Sequence, residues 1–206
     1  MVSMSLTTLG NNRIPNTFYV SFGNNIPPRS FGYPAGIDNT SINAAGVSFS
    51  AGLITYFDKD KSERTTKLGV DFVFAEMAKN FNTITKPERR LSSTLFAMKL
   101  GPVLSTELTK HLNFDIYSQG VIGLTTLSYY NNYRNLVLHL SDYTPQLGIA
   151  AGIRFGYRFI AVNFEYNWGR PSIFYHDNTI DEVHELKINQ SYLRLGVSVK
   201  FSSFKQ

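Results

Sequence analysis

The chain has 206 residues, 14% of them aromatic and 17% charged, with a formal net charge of +5 and no cysteine. That length suits a single β-rich domain, the aromatic content argues against disorder, and the missing thiols exclude cysteine catalysis, disulfides and cysteine metal sites. Lys and Arg are scattered rather than gathered into a stripe, which points away from nucleic acid, and no run of eighteen apolar residues marks a transmembrane helix.

The mean hydropathy of −0.14 would be ordinary for a soluble protein. A membrane β-barrel escapes that test, because only every second residue of its strands meets lipid. Met1 to Gly10 has no charged start, continuous apolar middle or small-residue cleavage site, so it does not read as a secretory signal. Residues 1–16 lack alternation, and Asn11-Asn12 with Pro15-Asn16 reads as an N-terminal arm. Thr17–Phe22 (TFYVSF) is the first expected strand, followed by a long loop over 23–43 rich in Pro, Gly and Asn.

In 45–57, Val47, Phe49, Ala51, Leu53 and Phe57 alternate with Gly46, Ser48, Ser50 and Gly52, as they must if successive strand side chains point to opposite faces. After a charged turn over 58–65 the scheme returns in 68–77, where Leu68, Val70, Phe72 and Phe74 oppose Gly69, Asp71 and Ala75. A polar loop is expected over 78–90. In 91–104, Phe96, Met98, Leu100 and Leu104 oppose Ala97, Lys99, Gly101 and, just beyond, Ser105; Pro102, which cannot donate to a ladder, marks an edge or bulge. A short turn over 106–111 leads to 112–127, where Leu112, Phe114, Ile116, Ile122 and Leu124 oppose Asn113, Asp115, Tyr117, Gln119 and Gly123. A third long loop is expected over 128–145.

Residues 146–168 carry the clearest pattern, two alternating runs that meet at Tyr157-Arg158. Leu147, Ile149, Ala151, Ile153, Phe155 and Tyr157 face away from Gly148, Ala150, Gly152, Arg154 and Gly156; then Ile160, Val162, Phe164, Tyr166 and Trp168 face away from Ala161, Asn163, Glu165 and Asn167. A soluble strand would carry Lys, Glu and Thr on its wet side. Here the polar side is Gly, Ala and Asn with one Arg and one Glu, which suits a crowded interior, so the apolar side faces lipid. A fourth long loop over 169–190 precedes the closing strand 192–201, where Leu193, Leu195, Val197, Val199 and Phe201 oppose Arg194, Gly196, Ser198 and Lys200. Eight strands result, and their connections alternate long and short. The predicted fold is all-β: an eight-stranded antiparallel up-and-down transmembrane β-barrel over 17–201, with a tail over 202–206 and both termini on the rim of the short turns 58–65, 106–111 and 156–158.

In the G-x-R-F-G-Y run of the central hairpin and in the closing strand, the chain resembles the small eight-stranded outer-membrane barrels of Gram-negative bacteria, the OmpA/OmpX-like group. The resemblance covers about residues 45–201 as a strand pattern. It implies a Gram-negative outer-membrane location with periplasmic termini, and an assembly signal in the last strand (Tyr192, Leu193, Leu195, Val197, Val199, Phe201). Ser202 to Gln206 trail after Phe201, so the signal either ends at Phe204 in another register or tolerates a short tail. The partners implied are outer-membrane lipid and lipopolysaccharide, the barrel-assembly machinery during insertion, and other outer-membrane proteins.

If the small-residue face points inward, it collects Asp71, Asp115 and Glu165 with Lys99, Arg154, Arg194 and Lys200. An eight-stranded interior is just wide enough to be filled by side chains, so these charges are expected to pair with one another, with Arg154 as their hub, rather than line an ion pathway. Aromatic girdles at headgroup level are expected from Tyr56, Phe57, Tyr157, Phe159 and Phe201 at one rim and Tyr129, Tyr130, Tyr166, Trp168 and Tyr192 at the other. No cofactor or metal is expected: His176, Asp177, Asp181 and His184 match no metal-site spacing, and Ser141, His139 and Glu185 specify no catalytic set. Because some barrels of the group are lipid A acylases or deacylases, a lipid A-modifying enzyme is one alternative to a non-enzymatic structural, adhesive or complex-forming barrel. A soluble lipocalin-like barrel with its apolar face inward is the other.

Overall fold

The computed structural model describes residues 17–26, 42–57, 66–85, 88–109, 111–131, 136–169, 172–177, 182–187 and 190–202. The expectations for residues 1–16, for the turn over 58–65 and for 203–206 lie outside them. Among the described residues ten strands form: β1 (Thr17–Ile26), β2 (Ile42–Tyr56), β3 (Thr66–Thr85), β4 (Glu88–Thr109), β5 (Leu112–Asn131), β6 (Leu136–Tyr157), β7 (Ile160–Gly169), β8 (Ser172–Asp177), β9 (Glu182–Lys187) and β10 (Tyr192–Ser202). Eight of them close into one antiparallel barrel in the order β1-β10-β7-β6-β5-β4-β3-β2, with β2 returning to β1; β8 and β9 form a separate two-stranded sheet. The barrel closes where Thr17 meets Ser202 and Asn25 meets Arg194, so the first and last strands supply each other's missing partner and no edge remains there.

The wall is uneven in height. β1, β7 and β10 have 10, 10 and 11 residues, the length that crosses a bilayer. β3 and β5 have 20 residues and β4 and β6 have 22. The expected loops over 78–90 and 128–145 are therefore corrected: they are the far halves of two long hairpins, with β3 continuing to Thr85, β4 starting at Glu88, β5 reaching Asn131 and β6 starting at Leu136. Polar composition favoured a loop reading, but a strand beyond the membrane has no lipid-facing side, so alternation of greasy residues is not required of it. The region 169–190 likewise contains the β8–β9 hairpin rather than loop alone.

One connection of the short rim is fully described and is tight. β6 turns into β7 through Arg158 and Phe159, with Arg158 at φ 53°, the left-handed backbone that a two-residue hairpin turn demands. The Arg158 N–H donates to the His111 carbonyl at 2.8 Å, and the Lys200 N–H donates to the Phe159 carbonyl at 2.7 Å, which ties this turn to both neighbouring strands. Pro102 faces outward, and β4–β5 pairing lapses over Gly101-Pro102 before resuming at Val103.

Side chains sort as the inverted pattern demands. Phe22, Leu100, Ile122, Leu147 and Val197 expose half or more of their surface outward, whereas Ser21, Lys99, Val121, Gln146 and Ser198 are buried within. This overturns the lipocalin-like alternative, which needs the apolar face inside.

Candidate functional site

The interior begins with two small-residue positions that make room for large ones. A side chain on Gly52 would lie 2.6 Å from the Tyr19 ring, and one on Gly152 would lie 2.6 Å from the Tyr117 hydroxyl. With both positions empty, Tyr19 and Tyr117 fold into the lumen against Ile54, Val73 and Val103. Their rings bracket Arg154, whose guanidinium lies 4.6 Å from the Tyr19 centroid and 5.0 Å from that of Tyr117.

Arg154 sits between two carboxylates on strands it does not share: Asp71 of β3 at 3.0 Å and Asp115 of β5 at 3.5 Å. Its Nε donates to Asn163 Oδ1 at 3.2 Å. Asp71 also accepts from the Tyr19 hydroxyl at 2.8 Å. Asp115 accepts from Ser105 at 2.7 Å and Asn113 at 2.9 Å and pairs with Lys200 at 3.2 Å. A second cluster lies around Lys99, whose ammonium meets Glu76 at 2.8 Å, Glu165 at 2.7 Å and Asn167 at 2.6 Å. Arg194 completes it with Glu76 at 3.0 Å and with Ser21 and Ser50, both at 2.9 Å.

The two clusters are joined. Tyr117, packed beneath Arg154, donates to Glu165 at 3.0 Å, and the Ser21 hydroxyl accepts from Arg194 and from Asn163. Each fully buried ion thus has its counter-ion and at least one further hydrogen bond, the condition under which buried charge is tolerated; the half-buried Lys200 has Asp115, and the Arg194 Nε–H has no partner among the described residues. Four acids (Asp71, Glu76, Asp115, Glu165) meet four bases (Lys99, Arg154, Arg194, Lys200) among the described interior residues, so this core is neutral although the chain carries +5. Such an arrangement ties strands across the lumen.

Glu76 is the member that regular alternation misses. β3 carries one residue more than both neighbours between Val73 and Glu76, a bulge at which Phe74 and Ala75 both face outward. The expectation that Ala75 faces inward is corrected: the bulge resets the phase and turns Glu76 inward. The Asp71, Asp115, Glu165, Lys99, Arg154 and Arg194 side chains are buried in this core and Lys200 is half-buried at its short-rim end.

Of the girdle residues, Phe57, Tyr157, Phe159, Phe201, Tyr166 and Trp168 are exposed on the outside. At the short rim Phe201 and Phe18 lie 5.8 Å apart. Two assignments are corrected. Tyr56 packs inward against the Tyr19–Ile54 cluster, because residue 56 shares the phase of Ser48, Ser50 and Gly52. Tyr192 is buried and its hydroxyl donates to Glu76 at 2.8 Å, since it shares the phase of Arg194. The Tyr129 and Tyr130 side chains lie outside the described residues, as do those of His139, Ser141, His176, Asp177, Asp181, His184 and Glu185.

No protein-family model matches the chain, and no curated protein does. Solved structures are similar to it. The attachment invasion locus protein Ail of Yersinia pestis, solved with the heparin analogue sucrose octasulfate, has 13% identity and a TM-score of 0.50, covering 91% of this chain and 100% of that one. Neisserial surface protein A has 14% identity and a TM-score of 0.43 over 89% of this chain and 97% of that one. The outer-membrane protein OprG of Pseudomonas aeruginosa has 10% identity and a TM-score of 0.45 over 92% of this chain and 97% of that one. What is shared at such identities is architecture: this chain is a closed, eight-stranded antiparallel β-barrel with the fold of the small bacterial outer-membrane proteins.

Proposed function

We propose that the protein is a non-enzymatic component of a Gram-negative outer membrane, and that its working part is the tall side of the wall. The observation that carries this is the doubling of strand length. β3 to β6 have 20 to 22 residues where β1, β7 and β10 have 10 or 11. About ten residues span a bilayer, so half of each long strand stands beyond it and carries a rigid sheet into the surroundings. The lumen, by contrast, is committed to internal ion pairs, which supports a structural rather than a transporting role for it.

On this reading the barrel anchors, and the projecting sheet with the β8–β9 hairpin beside it meets a partner, as an adhesive element or a subunit of a larger outer-membrane complex. A variant in which residues 80–91 and 126–143 are each replaced by a short turn keeps the spanning halves of the four strands. It is expected to remain heat-modifiable on gels while losing surface-dependent adhesion or co-purifying partners. Retention of both binding behaviours in the folded variant would remove the projecting sheet from the function.

A further inference from the structure

The outside of the wall changes character from one cross-strand row to the next. On β3 the outward residues Leu68, Val70, Phe72, Phe74, Ala75 and Met77 are all apolar, a stretch of the length that crosses a bilayer. Its last row runs across the strands as Phe49, Met77, Phe96 and Leu124. The next row outward is Val47, Lys79, Thr94 and Thr126. Ser93, Leu95 and Thr125 are buried in the lumen, so Thr94 and Thr126, of opposite phase, present their hydroxyls to the outside.

Lys79 is a cation on the outer wall with no carboxylate within ion-pairing distance among the described residues. Its ammonium lies 5.2 Å from the ring centroid of Phe81, one row further out. By contrast Lys67, near the short rim, is paired with Glu107. A cation and two hydroxyl donors set side by side, one row above a continuous apolar surface, meet the surrounding leaflet where its acyl chains give way to headgroups.

We propose that Lys79, Thr94 and Thr126 form a wall-side site for the phosphate of a lipid headgroup, with the acyl chains lying on the Phe49–Met77–Phe96–Leu124 row. The proposal rests on the membrane reading given above. The ammonium supplies charge to the phosphate, the threonine hydroxyls donate to its oxygens, and Phe81 holds the lysine stem against the wall.

The test uses the labelled full-length chain in a phosphate-free maltoside detergent, followed by the backbone amide signals of Lys79, Thr94 and Thr126. Added in turn are bisphosphorylated lipid A, phosphatidylglycerol, diacylglycerol and inorganic phosphate. Saturable shifts of the three signals with the phosphate-bearing lipids, absent with diacylglycerol, are expected, and Lys79→Gln is expected to weaken the apparent affinity about fivefold. Equal shifts with diacylglycerol, unchanged affinity in Lys79→Gln, or the same shifts from inorganic phosphate at matching concentration (an adventitious ion only) overturn the site. Heat-modifiability of wild type and Lys79→Gln is measured in parallel. A chain that is not a detergent-stable barrel refutes the membrane reading itself, whereas a stable barrel lacking these responses refutes only the site.

Discussion

The two sides of one barrel wall obey different rules, and β5 shows both. Its inward residues Asp115, Tyr117, Gln119 and Val121 are buried in a space where polar atoms need partners, and most have them; its outward residues Ile116, Ile122 and Leu124 are exposed with none to satisfy. Inside, position and chemistry are tightly specified, because each ion leans on groups from several other strands. Outside, an apolar side chain of any shape suffices, because the neighbour is fluid. The lesson is that strand phase, which decides which rule a residue obeys, matters more to this protein than any single contact.

Phase can be attacked directly. Deleting Met98 from β4, whose own bulge against β5 lies only farther along at Glu107–Thr109, throws Lys99 and the residues up to that bulge onto the opposite face; no heat-modifiable barrel is expected on a gel. Deleting Ala75 uses the spare residue of the β3 bulge, so Phe74 stays outward and Glu76 inward, and a folded barrel with a lowered melting temperature is expected. Equal behaviour of the two deletions would show that phase is not what the assembly depends on.

The inner rule is tested next by Arg154→Met, which leaves Asp71 and Asp115 buried without their shared counter-ion. A loss of about 3–5 kcal/mol is expected from breaking one partner of a buried pair, read as a lower melting temperature of the heat-modifiable form. Asp71→Asn in the same background should recover part of it, and an unchanged melting temperature in the single variant would remove Arg154 from the centre of the network. The smallest effect is expected from Tyr192→Phe. Glu76 keeps Lys99 and Arg194 and loses one hydrogen bond, so about 1 kcal/mol is at stake. An unchanged melting temperature would show that the Tyr192–Glu76 hydrogen bond adds nothing to the stability of the core.

Much of the barrel was legible because alternation is local. In 146–168 each residue's side follows from counting by two, and Arg154, Asn163, Glu165 and Asn167 lie inside accordingly. The same counting locates Asp71, Lys99, Asp115 and Arg194. It fails at Glu76, since a bulge is set by how β3 fits β2 and β4 together, and nothing in FVFAEM announces the spare residue. Tyr56 and Tyr192 stand near strand ends, where girdle aromatics are expected, but their phase turns both inward. The far halves of β3 to β6 carry no such signal, because water, unlike lipid, imposes no apolar alternation on a strand.

The eight spanning strands, and the apolar and polar faces of β2, β4 to β7 and β10, were determined by the sequence alone, because the solvent on each side selects residue type one position at a time. Which charge meets which was decided only by closure. Arg154 and Asp71 are 83 residues apart, and Arg194 and Glu76 are 118; only the curvature and stagger of the closed wall bring them within hydrogen-bonding reach.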